Sequence, residues 1–143
     1  MTLTSHQRTL VISGAVLFLL GLLQGGIVQC FTNPRMALSA HLTAVQSGMA
    51  MMIVGAVWQA TKLSEFTASV AKWAIVIGMF ALWFGLTASA VTGASDNLSI
   101  AGAGYQSDQT TEALVSIAVL GGSALMTIGW SIFVIGLVRK NPR

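Results

Sequence analysis

The sequence predicts an all-helical integral membrane protein, a bundle of four spanning helices joined by short loops. Three observations predict it. Of 143 residues, 55% are hydrophobic and only 8% are charged. A soluble domain carries about 25% charged residues, so this chain cannot build a water-facing surface. Four apolar stretches reach the roughly 20 residues that a helix needs to cross hydrocarbon. Glycines recur at seven-residue spacing in every stretch, close to two helical turns, and so form a stripe on one helix face.

The first span is expected at 10–31, closed by the breaker Asn33-Pro34-Arg35. Arg8 before an apolar run resembles a signal peptide, but the run exceeds the roughly 7–15 residues of such a core. A retained helix is the expectation. The second span is expected at 38–60, bounded by Lys62, the third at 70–91, and the fourth at 113–138, stopped by Arg139-Lys140. Lys72 is the one charge near a span, expected close enough to its end to snorkel. The whole chain, 1–143, reads as a single transmembrane domain.

The glycine stripes are Gly14 and Gly21, Gly48 and Gly55, Gly78 and Gly85, and Gly122, Gly129 and Gly136. Small residues let helix backbones approach in a membrane, where packing drives association, and Gly21-x-x-x-Gly25 adds a possible right-handed crossing. The stripes do not choose between contacts inside one chain and contacts between subunits.

Basic residues give the orientation. Arg8, then Lys62 and Lys72, then Arg139, Lys140 and Arg143 mark the amino end, the second loop and the carboxyl end. The third loop, 92–111, has Asp96 and Asp108 but no Lys or Arg. The positive-inside rule places both termini in the cytoplasm. The third loop is expected to be a solvated connector, with a cover over the bundle as the alternative. The net charge of +3 is scattered rather than patched, which excludes a nucleic-acid footprint. The lone Cys30 permits no intramolecular disulfide and no Cys-x-x-Cys site.

Chemistry has few carriers. His6 lies in the amino-terminal tail and reads as an interfacial side chain. His41 falls inside the second apolar stretch, where an ionisable group is costly and faces a bundle interior or a cavity. Imidazole is also a common ligand for haem iron and other transition metals. Ligand and structural hydrogen-bonding histidine both remain open. On a helix His41 shares a face with Ala44, Val45, Gly48, Met52 and Gly55, against which a flat cofactor or a neighbouring helix could lie. Ser47, six residues on, points away from His41 within one helix.

The other buried polar candidates are Gln24, Gln29, Gln59, Thr87, Ser89 and Ser123. Trp58, Trp73, Trp83 and Trp130 read as interface anchors, with Trp83 deep enough to line a pocket. No zinc-protease, Walker, dinucleotide or nucleophile-elbow motif is present. No Asp or Glu lies deep in a span, which argues against a proton-coupled transporter.

Leu17 to Leu22 reads Leu-Phe-Leu-Leu-Gly-Leu; Asn33-Pro34-Arg35-Met36-Ala37-Leu38-Ser39-Ala40-His41-Leu42 follows, then Gly48-Met49 and Gly55 to Trp58. This run resembles the hydroxylaminobenzene mutase family of small bacterial membrane proteins. More remotely, Ala40-His41 and Gly48-Met49 resemble the second helix of styrene oxide isomerase. The third and fourth spans match these families in length and hydropathy alone.

The resemblance implies an isomerase of aromatic compound metabolism in the bacterial inner membrane, acting without net redox change or second substrate. An N-aryl hydroxylamine such as hydroxylaminobenzene would become a 2-aminophenol. It also implies a homotrimer with haem b between subunits, His41 as the iron ligand, and ferric iron as a Lewis acid on the substrate oxygen. Ser47, Trp83 and Thr87 become the pocket candidates. Relatives carry Asn where this chain has Ser47, and a substrate-facing Tyr where the nearest aligned residue is Thr87. Arg35 is expected to anchor a loop or a lipid headgroup. Two non-catalytic alternatives stand beside the isomerase. A haem protein without turnover predicts two axial ligands, and a scaffold or small-molecule transporter predicts no cofactor.

Overall fold

A computed structural model describes residues 3–139. Lys140 and Arg143, counted above among the basic residues of the carboxyl end, lie outside the described residues. Four helices are long and apolar enough to cross a membrane: α1 (Ser5–Gly25), α2 (Pro34–Val57), α3 (Glu65–Thr92) and α4 (Gln109–Val138). Short 3-10 turns, Val28–Cys30 and Trp58–Ala60, follow α1 and α2.

Each helix begins earlier than apolarity alone predicts, because polar caps extend it past the hydrocarbon run. Thr4 and Gln7 form a reciprocal capping box at α1. The expected breaker at Asn33-Pro34 is a helix start: the Asn33 side chain accepts from the Met36 N–H at 3.1 Å, and Pro34 takes the first turn, where its missing N–H costs nothing. Ser64 caps α3 and Asp108 caps α4. The Thr111 hydroxyl and the Thr111 and Thr110 amides hold the Asp108 carboxyl below its ordinary range. At the other ends, α1 stops at Gly25, six residues before the expected limit, and α3 stops at Gly93, whose φ of +82° suits glycine.

The helices form two hairpins, α1 with α2 and α3 with α4, joined mainly through α2 and α3. Both hairpins pack in the same way. A β-carbon on Gly14 would meet the Gly48 carbonyl and Met52; one on Gly78 would meet the Gly122 carbonyl and Met126. Gly21 faces Ala44 and Val45, as Gly85 faces Ala118 and Val119. A shift of 64 residues carries Gly14 and Gly21 onto Gly78 and Gly85, and a shift of 74 carries Gly48 and Gly55 onto Gly122 and Gly129. The glycine stripes therefore bring helices together within each hairpin. Close backbone approach holds them where lipid offers no hydrophobic incentive to associate.

Between the hairpins lies a core that includes Leu17, Met51, Val54, Ile75 and Met79. Ile53, Phe84, Ile117 and Leu120 are among the large apolar side chains left outward, the pattern of a lipid-facing surface. Two expectations change here. Trp58 is buried, stacked on Phe133 with ring centroids 5.7 Å apart, rather than anchored at an interface. Lys72 lies about two turns inside α3 and is 7% exposed, its Nζ 4.8 Å from the Trp73 ring centre. The early start of α3 puts it there.

The third loop is not a solvated connector. The buried Glu112 carboxylate accepts from the backbone N–H groups of Ser95, Asp96 and Ser107 at 2.8–3.1 Å. From the first hairpin, Asn33 donates to the Ala101 carbonyl at 2.9 Å and Arg35 donates to the Ala103 carbonyl. Arg35 is thus a loop anchor.

Candidate functional site

One turn of α1, Gly21 to Gly25, collects polar side chains from α2 and α3. From α2, the half-buried His41 turns Nδ1 to the Gly21 carbonyl at 2.7 Å. A carbonyl only accepts, so Nδ1 carries the proton and the lone pair of the neutral ring is on Nε2. Histidines that bind metals are held in this way, one ring nitrogen donating to a carbonyl so that the other is free to ligate. The ring is seated by glycine. A β-carbon on Gly25 would stand 2.7 Å from Cε1 and 2.8 Å from Nδ1.

From α3, Trp83 and Thr87 meet the neighbouring position of the same turn. The Trp83 indole N–H donates to Gln24 Oε1 at 2.8 Å, and Gln24 Nε2 donates to Thr87 Oγ1 at 3.1 Å. Gln24 is 5% exposed, so its amide is committed to these two partners. Trp83 also borders a groove of about 470 Å³ lined by Val76, Ile77, Phe80, Ala81 and Phe84.

The structure thus gathers three of the four expected site residues, His41, Trp83 and Thr87, on one turn of α1. Ser47 is elsewhere: it is buried on the α2 stripe of Ala40, Ala44, Met51 and Val54, away from the face that His41 presents to α1. Gln24, grouped in the sequence with other polar residues, is the link that spacing could not single out. Its partners are 59 and 63 positions away. His6 is outside this site. Its Nε2 pairs with Glu65 at 2.8 Å at the opposite end of the bundle. Among the described residues no three His, Cys, Asp or Glu side chains gather into a metal-binding group, so His41 is the protein donor this site offers.

The sequence pattern of the styrene oxide isomerase family matches residues 6–138. The chain belongs to that family. The likeness read above from Leu17 to Trp58 therefore extends through the third and fourth helices. Two proteins from Ectopseudomonas oleovorans are similar to the chain over most of its length. Hydroxylaminobenzene mutase HabA is 32% identical over 134 residues, 93% of this chain and 99% of the relative. Hydroxylaminobenzene mutase HabB is 32% identical over 136 residues, 94% of this chain and 82% of the relative. No solved structure matches the chain.

Proposed function

We propose that this membrane isomerase converts N-aryl hydroxylamines to 2-aminophenols with haem b held by His41. The supporting observation is the His41–Gly21 hydrogen bond, which leaves the Nε2 lone pair to ligate, on the turn of α1 that also holds Trp83 and Thr87 through Gln24. The names of the two mutase relatives agree with this choice of substrate.

The reaction breaks the N–O bond, forms a C–O bond at the ortho carbon and returns the proton lost there to nitrogen. Ferric haem, when bound, supplies a Lewis acid for the substrate oxygen. The chain supplies orientation. His41 is fixed by Gly21 and Gly25, the Trp83 indole offers an aromatic surface for the aryl ring, and Thr87 offers a hydroxyl to the migrating oxygen. Ser47 lines the interior behind His41 in this reading and makes no contact with substrate.

The assembly proposed is a homotrimer in the bacterial inner membrane, both termini cytoplasmic. His41 is half-buried, so a flat group on Nε2 would face lipid unless another copy covered it. The basic residues Arg8, Lys62 and Arg139 at one end of the bundle support the orientation.

The test is a visible absorption spectrum of the detergent-purified protein beside His41→Ala, followed by turnover of phenylhydroxylamine. The expected result is a Soret band in the parent, lost or shifted in the variant, with 2-aminophenol as product. A colourless parent after expression with ample haem would reject the haem, and a coloured parent with no turnover would reject the substrate.

A further inference from the structure

Gln24 is a buried amide that helix packing does not require. The 64-residue shift that superposes the glycines of α1 and α3 carries Gln24 onto Ala88, so the second hairpin closes around a methyl group at this place. The 74-residue shift likewise carries His41 onto the buried Val115. Gln24 and His41 thus both depart from the repeat, and the bonds of both involve one turn of α1, Gly21 to Gly25. An amide is costly to bury unless both arms are satisfied, and here Trp83 and Thr87 satisfy them.

The direction of these bonds follows from the indole. Trp83 N–H can only donate, so Gln24 must turn its oxygen to Trp83 and its NH₂ to Thr87. Thr87 Oγ1 therefore accepts, and its own proton is left for another oxygen. Thr92, Thr127 and Ser131 spend theirs on the carbonyl one turn back. Thr87 makes no such bond among the described residues.

Building on the isomerase reading above, we propose that Gln24 is a positioning residue: its amide sets the Thr87 hydroxyl as a hydrogen-bond donor to the oxygen of the bound aryl hydroxylamine. Thr87 touches the substrate; Gln24 acts through Thr87. The chain of donors runs from Trp83 through Gln24 and Thr87 to the N–O group.

Gln24→Glu tests the direction. A protonated carboxyl still donates to Thr87 as the amide does, whereas an ionised carboxylate takes the Thr87 proton and removes the donor. The kcat of Gln24→Glu relative to the parent on phenylhydroxylamine is therefore expected to fall about 10- to 100-fold as pH rises through the carboxyl titration. His41, which packs from α2 against the same turn of α1, is present in both proteins, and the Thr87→Val background separates its contribution from that of the Thr87 hydroxyl. KM is expected to change little, and the pH dependence of the ratio is expected to vanish in a Thr87→Val background.

A flat ratio, or a pH dependence that persists without the Thr87 hydroxyl, would overturn the proposal. Should Gln24→Glu fail to fold, Thr87→Ser and Thr87→Val decide instead. Serine is expected to retain activity and valine to lose it, and equal activities would overturn the proposal. A parent that turns over no aryl hydroxylamine removes the proposed substrate itself, a result distinct from either of these.

Discussion

Three ring atoms of His41 lie within 3.3 Å of the point where a β-carbon on Gly25 would stand, so the imidazole fills the space that glycine leaves open. Gly25→Ala is expected to push the ring off its Gly21 hydrogen bond and destabilise the fold by about 1–3 kcal/mol, the usual cost of overpacking. Gly26→Ala is the control, since its β-carbon would meet only the Leu23 carbonyl at 3.5 Å. Absorption spectra and thermal unfolding in detergent check both: the first variant is expected to lose or shift any Soret band and unfold earlier, the second to match the parent.

The helix crossings predict a second contrast. A β-carbon on Gly48 would stand 2.6 Å from the Phe18 backbone nitrogen, and one on Gly122 2.7 Å from that of Leu82. Backbone cannot rotate aside, so Gly48→Ala and Gly122→Ala are each expected to cost about 1–3 kcal/mol. Gly121 has nothing within 4 Å of its β-position. Gly121→Ala is expected to stabilise the helix by up to ~1 kcal/mol, as alanine does at open helix positions. Unfolding midpoints that fail to separate these neighbours would refute the crossing geometry.

Glu112→Gln replaces a carboxylate that serves three amides with a side chain having one acceptor oxygen. A loss of about 1–3 kcal/mol is expected from the stranded amides. Hydrogen exchange should localise it, faster across residues 95–107 while the four helices keep their protection. Uniform acceleration through the bundle would mean that the carboxylate serves the fold as a whole.

Asn33→Asp separates the two duties of that side chain. An Asp oxygen still caps Met36, since aspartate is as good an N-cap as asparagine, but it has no N–H to give the Ala101 carbonyl. The start of α2 is expected to keep its exchange protection while the segment around Ala101 loses it. Loss of protection in α2 would show that the cap and the loop contact are one cooperative unit.

The four helices were legible because hydrocarbon imposes one rule on every residue in it, and apolar length reads that rule directly. Their ends were less so, since Thr4, Asn33, Ser64 and Asp108 extend helices through residues that hydropathy scores as loop. His41 stood out as an ionisable group in an apolar run. Gln24 did not, because a glutamine acquires meaning only from its partners, and those lie on another helix. The third loop escaped for the same reason. Its Gly and Ser composition reads as solvent, whereas the buried carboxylate and the Asn33 and Arg35 donors that order it come from other parts of the chain.

The glycine contacts of each hairpin also bear on the order in which the chain is assembled. Gly14 meets Gly48 and Gly21 meets Ala44, all within α1 and α2. The His41–Gly21 bond is likewise internal to that pair. Nothing in these contacts waits for the second half, so the first hairpin can close in the bilayer while α3 and α4 are still being made. Local contacts of this kind form fast. The links that follow, Gln24 with Trp83 and Thr87, and Asn33 and Arg35 with the third loop, are made by polar groups already in position. Synthesis thus delivers a finished histidine seat first and the residues that complete the site afterwards.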